Sequence, residues 1–196
     1  MRKKSMNTIR KEIREKDGQI VRLLNERAAL SLEAGKVKRR LGMEIYDPSR
    51  ESRVFGYLAD INRGPLAGEA LGHIYREILS SSRQIQAPLS IACLGPESSF
   101  THLAALCHFG RSPRVLPRRS IGQVFDEVES QKVSYGVVPM ENSVEGSVKH
   151  TLDRLIDTPL RIRAEIVMKI SHCLLSRGGK GNVRTVYSHP QALAQC

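Results

Sequence analysis

Small and apolar residues recur at helical spacing over an unusually long stretch near the start of this chain. They are Ile9, Ile13, Ile20, Leu24, Ala28, Ser31, Ala34 and Val37, with one seven-residue gap. The pattern predicts a helix from about Thr8 to Arg40, capped by Thr8 and ended near Gly42. Gly18 and Gly35 each weaken it by about 1 kcal/mol. More than thirty residues at 1.5 Å rise span roughly 50 Å, which exceeds a small domain. Shorter neighbours cannot cover such a stripe along its full length. The helix therefore predicts a coiled or intertwined oligomer.

Two shorter helices follow. Asp47 and Pro48 predict an N-cap and a first helical residue, with Val54, Leu58 and Ile61 as the apolar face. Asn62-Arg63-Gly64-Pro65 ends that helix. A third helix is expected from about Leu66 to Gln86, with Leu71, Ile74, Ile78, Leu79 and Ile85 as core candidates. Pro88 stops it.

After Pro88 the text changes to short β-branched runs bounded by Gly, Pro and Ser. Strands are predicted at Leu89–Leu94, Val115-Leu116 and Tyr135–Pro139, the last as a buried strand centred on Val137 and Val138. Further strands are expected at Arg161–Lys169, extending to His172–Leu175, and at Arg184–Tyr187. Helices are expected from Ser99, over Ile121–Glu129 and Val148–Ile156, and opening at Pro190–Cys196. The chain thus reads as multidomain: an all-α three-helix region, residues 1–88, then an incomplete α/β region with a mostly parallel sheet, residues 89–196.

The formal net charge is +11. Residues 1–88 carry 18 Lys and Arg against 11 Asp and Glu, so most of the excess is in the helical region. Such a balance suits nucleic acid or a small polyanion held by arginines. Five Tyr, four Phe and no Trp supply few stacking platforms for single strands. No stretch approaches the ~18 apolar residues of a membrane span, and no apolar segment follows the basic Met1–Lys4 as a signal peptide requires. Cysteines at 93, 107, 173 and 196 have neither disulfide-scaffold nor zinc-like spacing. These features predict a cytoplasmic protein with reduced thiols and no membrane partner.

In the helical region Arg10, Arg27, Lys38, Asp47, Arg50 and Glu51 stand out. Arg27 and Lys38 are eleven residues apart, about three turns, and share a face. Arg27 lies beside the apolar stripe, where a cation needs a partner or an anion. Ser82 and Gln86 point the same way on the third helix. Spacing alone leaves three readings open: a solvated basic face, an anion pocket, or nucleic-acid contact.

The ordered fragments Ile9-Arg10-Lys11-Glu12-Ile13, Leu23-Leu24-Asn25-Glu26-Arg27, Gly35-Lys36-Val37-Lys38, Tyr46-Asp47-Pro48-Ser49-Arg50-Glu51, Asn62-Arg63-Gly64-Pro65-Leu66 and Ser82-Arg83-Gln84-Ile85-Gln86 narrow the choice. Together they resemble the helical chorismate mutase family, in the form fused to prephenate dehydratase. The resemblance implies a homodimer intertwined through the first helix, with Arg10 reaching into the partner's site. Arg10 and Arg27 would hold the carboxylates of chorismate. Lys38 and Gln86 would face the ether oxygen. Glu51, with Asp47 nearby, would take the ring hydroxyl; Ser82 would assist a carboxylate, and Arg50 would orient the cluster. The implied reaction is an intramolecular Claisen rearrangement to prephenate, which needs no metal and no cofactor.

In the α/β region, Gly95–His102 follows a strand and opens a helix, Glu141–Val148 follows another strand, and Ser188–Leu193 follows a third. Each is an ordinary polar turn or a ligand loop. His102, His172 and His189 have no spacing that ties them into a metal site. The fragments Ser99-Phe100-Thr101-His102, Tyr135–Pro139, Glu141-Asn142-Ser143, Glu145–Val148 and Ser188–Ala192 resemble the first part of the prephenate dehydratase catalytic domain. Ser98 departs from the small Gly or Ala common there. The resemblance implies periplasmic-binding-protein-like lobes, with Ser99, Thr101, Asn142, Ser143, Gly146, Ser188 and His189 as site remnants. The family's Thr-Arg-Phe segment and its phenylalanine-binding ACT domain find no match in these 196 residues. The expectation is a whole mutase joined to a dehydratase part that does not act alone.

Overall fold

The computed structural model describes residues 4–143, 146–176, 178, 183–188 and 192–193. The first region is three helices: α1 (Met6–Arg40), α2 (Pro48–Ile61) and α3 (Gly68–Gln86). Helix α1 starts earlier than expected because Ser5, not Thr8, is the cap. The Thr8 N–H donates to Ser5 Oγ at 3.2 Å. At the other end Gly42 has φ +64. There the Met43 N–H donates to the Lys38 carbonyl at 2.9 Å and the Gly42 N–H to Arg39 at 3.3 Å. This reciprocal pair uses a left-handed glycine to stop a helix. Asp47 caps α2 as predicted, its Oδ1 accepting from the Arg50 N–H at 2.9 Å.

Helix α3 lies closely along α1. A Cβ on Gly35 would stand 2.8 Å from Gln86 Cγ, so only glycine permits that approach. Gly35 is also the sole fully buried residue of α1. Of the predicted stripe, Ala28 and Ser31 are half-buried, whereas Ile13, Ile20, Leu24 and Val37 remain exposed. Ile61, Ile74 and Ile85, expected in the core, are exposed as well, while Leu58 and Leu79 are buried. The three helices of one chain do not cover the faces that periodicity assigned inward.

The second region builds a parallel sheet from β1 (Ser90–Leu94), β2 (Arg114–Arg118) and β3 (Tyr135–Val137), in the order β2-β1-β3. Helices α4 (Phe100–Phe109) and α5 (Ile121–Glu129) connect them. Side chains alternate across a strand. Ile91 and Cys93 pack with Ala105 and Phe109 of α4, while Ala92 packs with Val124 of α5 and Val133. Tyr46, from the α1–α2 connection, enters the first of these clusters. The two regions therefore share a core.

Several expectations change here. The buried strand is the central β1, not Tyr135–Pro139: β3 is a three-residue edge strand, and Val137 and Val138 are half-buried. The loop 141–148 contains a short antiparallel pair, β4 (Glu141–Asn142) and β5 (Gly146–Ser147), before α6 (Lys149–Asp157). Thr151 Oγ1 donates to the Pro139 carbonyl at 2.7 Å and fixes α6 near β3. Residues 161–169, 172–175 and 184–187 form no strands. Alternation alone does not make a strand without a neighbouring ladder, and none adjoins them among the described residues. This segment instead meets the rest through side chains, with Arg163 paired to Glu44 and the His172 ring 5.5 Å from that of Phe100. Of the expected helix at 190–196, only 192–193 fall among the described residues.

Candidate functional site

The groove between α1 and α3 gathers four of the predicted residues. Near its middle, Arg27 Nη1 donates to Ser82 Oγ at 2.6 Å, and Ser82 Oγ donates onward to the Ile78 carbonyl at 2.7 Å. One turn further along α3, Gln86 rests on Gly35 and its Nε2 donates to the Ser82 carbonyl at 2.9 Å. Its Oε1 is buried without a partner among the described residues. At the end of α1, Lys38 Nζ donates to the Ile45 carbonyl at 2.7 Å. Neither Arg27 nor Lys38 pairs with a carboxylate among the described residues; each half-buried cation is held by neutral oxygens. A groove with two uncompensated cations and an unsatisfied amide is suited to an anion with further polar groups.

The other predicted residues are placed differently. Arg10 is exposed, about 25 Å from Arg27 along α1 at 1.5 Å per residue, so one chain does not bring the two together. Asp47 spends Oδ1 on capping α2. The Arg50 side chain is exposed. Glu51 is half-buried and ion-paired with Arg83.

Arg83 belongs to the Ser82–Gln86 motif, where spacing assigns it no role. It is 3% exposed, and its Nη2 also donates to the Phe109 carbonyl at 2.6 Å. Its guanidinium carbon stands 5.3 Å from the Tyr46 ring centre, a cation–π contact. The available signal was its position on the covered stripe of α3, four residues after Leu79. Spacing likewise assigns no role to Tyr46. Its hydroxyl meets His108 Nε2. Burial, then the charge of Glu51, raises the Tyr46 pKa to about 12. Burial, then Arg83 and Arg76, lowers that of His108. Both shifts favour neutral groups, so the Tyr46 O–H donates and His108 Nε2 accepts.

In the α/β region, β1 and β3 are adjacent and parallel, so the loops after both open at one end of the sheet, where the chain order reverses. Open sheets bind ligands in such crevices. Ser99 caps α4, accepting from the His102 N–H at 3.2 Å and donating to the Leu94 carbonyl at 3.1 Å. Thr101 is half-buried in the first turn of α4. Asn142 lies on β4, Ser143 in the turn, and Gly146 on β5 with φ +76. Ser188 is exposed and outside regular structure, and His189 lies outside the described residues.

Residues 9–87 match the model of the chorismate mutase type II family, and residues 91–196 match that of the prephenate dehydratase family. The chain belongs to the family that joins these two regions in this order. It is 43% identical over 196 residues to the bifunctional chorismate mutase/prephenate dehydratase of Aquifex aeolicus, covering 97% of this chain and 54% of that one. A protein of the same description from Neisseria gonorrhoeae is 41% identical, covering 92% and 50%. The chain thus spans about half the length of the curated relatives it matches. A solved chorismate mutase from Thermus thermophilus aligns with 41% of this chain and 92% of its own, at 34% identity and a TM-score of 0.41. The α1/α3 groove lies wholly within the chorismate mutase region, and the β1/β3 crevice within the dehydratase region.

Proposed function

We propose that residues 1–88 form a chorismate mutase, converting chorismate to prephenate, and that residues 89–196 form part of a prephenate dehydratase. The observation that carries the first reading is the α1/α3 groove, where Arg27, Ser82, Gln86 and Lys38 line one path within the matched region. The rearrangement is intramolecular: one C–C bond forms as the ether C–O bond breaks. It asks the protein for a clamped geometry and positive charge where the ether oxygen becomes negative. Arg27 offers a fork for one carboxylate, steadied by Ser82. Lys38 retains donors beyond the one given to Ile45. Gln86 gives one Nε2 proton to Ser82, and an amide carries two. Glu51 accepts the ring hydroxyl, beside Asp47 and Arg50.

In this reading the site is finished by Arg10 of a second copy, in a homodimer formed over the exposed stripe of α1. That arrangement is supported by the distance of Arg10 from its own groove and by the uncovered Ile13, Ile20 and Leu24. A nucleic-acid interface would spread cations over an exposed face, whereas Arg27 and Lys38 are half-buried in a groove. A cytoplasmic location fits a biosynthetic enzyme, and no described helix is long and apolar enough to cross a membrane.

Purified protein given chorismate, without added metal or cofactor, should form prephenate. No rate above background at micromolar protein with intact helical content rejects the reading. A polypeptide of these 196 residues given prephenate at neutral pH should form no phenylpyruvate, because the described dehydratase region supplies one crevice wall on a three-stranded sheet. Protein-dependent phenylpyruvate would contradict that.

A further inference from the structure

We infer that Arg83 is a positioning residue for Glu51, and that the α/β region holds Arg83 in place and so supports the mutase site. The inference rests on the mutase reading above. Arg83 lies on α3 between Ser82 and Gln86, both groove residues, yet its guanidinium serves α2 and the sheet region instead. One nitrogen donates to Glu51 Oε1 and the other to the Phe109 carbonyl at the end of α4. A guanidinium 3% exposed needs a counter-charge, and Glu51 is the carboxylate that supplies it. The guanidinium is planar, so Nη2 on the Phe109 carbonyl sets where Nη1 stands, and Nη1 in turn holds Glu51 Oε1 in place. Only Oε1 meets Arg83, so Oε2 remains to accept a substrate hydroxyl.

The hold on Arg83 comes from across the region boundary. The backbone at 109–112 grips α3 at three points. These are the Phe109 carbonyl, the Arg111 N–H donating to Glu77 Oε2 at 3.2 Å, and the Ser112 N–H donating to Ser80 Oγ at 3.2 Å. The contact is close enough to require Gly110. Its φ is +75, and a Cβ there would fall 2.5 Å from Ser80 Cβ and Oγ. Tyr46 closes the arrangement, with one face to Arg83 and its hydroxyl on His108 of α4. It immediately precedes Asp47, the cap of the helix that carries Glu51. The α4 end is therefore tied to the mutase carboxylate both through Arg83 and through Tyr46.

The test is a double-mutant cycle on the full chain, read as chorismate turnover. Arg83→Met should lower kcat/KM by about ten- to a hundredfold, the scale of a misplaced contact group. Glu51→Ala should cost at least as much. If Arg83 acts through Glu51, the double variant is no worse than Glu51→Ala alone, whereas a merely structural role multiplies the two losses. Arg83→Lys keeps a charge near Glu51 without the fork and should recover part of the loss. Gly110→Ala touches no mutase group but pushes the α4 end off Ser80, and should lower kcat/KM several-fold. It and Arg83→Lys carry the test should Arg83→Met not fold. Multiplicative losses, or unchanged turnover in Arg83→Lys and Gly110→Ala, overturn the inference while leaving the mutase reading intact. A wild-type chain that turns over no chorismate overturns both.

Discussion

Along α1, Ile13, Ile20 and Leu24 are 54%, 53% and 39% exposed, whereas on β1 Ile91, Ala92 and Cys93 are fully covered. Both segments are rich in apolar residues, but the covering differs. Strand β1 sits between β2 and β3 with a helix on each face, so its surroundings are complete within the described residues. Helix α1 has α3 along part of one side and an open stripe elsewhere. The contrast separates a core that one chain closes from a face that one chain leaves open. The candidate site follows the same division: Arg27, Lys38, Ser82 and Gln86 are assembled within the chain, and Arg10 is not.

Four measurements break or sharpen that comparison. The largest effect on turnover is expected at Lys38, which the proposed mechanism sets against the ether oxygen as its bond breaks. Lys38→Ala should lower kcat by about 10²–10³-fold, roughly 3–4 kcal/mol, while Arg27→Ala should also raise KM. Steady-state kinetics with an unchanged kcat for Lys38→Ala would remove Lys38 from the mechanism.

Next comes a matched pair of isoleucines. Ile91→Ala should destabilise the α/β region by about 2–5 kcal/mol in denaturant unfolding, because the site is sealed within the chain. Ile20→Asp at an exposed position of a monomer would shift stability by no more than about 0.5 kcal/mol. If a second copy covers α1, it should instead convert a dimer to monomer in sedimentation. An Ile20→Asp chain that sediments like the wild type breaks the proposed symmetry between open face and missing partner.

The third measurement concerns the contact where the two regions meet. The His108 pKa is lowered, so the folded state prefers the neutral ring. Its stabilising contribution is present above the unfolded value near 6.5 and is lost as pH falls through the lower folded value. Protonation also removes the Nε2 acceptor from Tyr46. The Tyr46 pKa is raised to about 12, so its contribution holds below about 10 and fades as pH climbs through 12. Thermal unfolding should thus show stability falling below about pH 6.5, with a flatter acid limb in His108→Phe. Identical acid limbs would dissociate His108 from this interface.

The smallest effect is at Ser98, with φ 65 in the turn before α4. A non-glycine residue is strained there, so Ser98→Gly should raise stability by up to about 1 kcal/mol after the entropy cost of glycine. Unfolding curves showing a loss would contradict the strain argument.

The sequence made α2 and α5 legible almost to the residue, because a cap and a short apolar period are local signals. The length of α1 and the open state of its stripe were also legible, since its size outruns its neighbours. Residues 161–169 and 184–187 alternate like strands but form none, because alternation does not reveal whether a ladder partner stands alongside. Spacing and family resemblance single out Arg27, Lys38, Ser82 and Gln86, and the structure brings these four together along α1 and α3. Arg83 and Tyr46 are not singled out, because their partners Glu51, Phe109 and His108 lie tens of residues away and belong to other elements. A cation on a buried helical stripe was the one local hint.

The central claim, a mutase site shared between two copies, is tested most directly by mixing two inactive variants. Arg10→Ala and Lys38→Ala should each be deficient alone. After co-refolding, a mixed dimer has one site with Lys38 from one copy and Arg10 from the other, both intact. In a two-fold dimer formed at random, roughly a quarter of wild-type chorismate turnover should return. Folded mixtures that regain no activity beyond that of the separate variants would contradict the shared site.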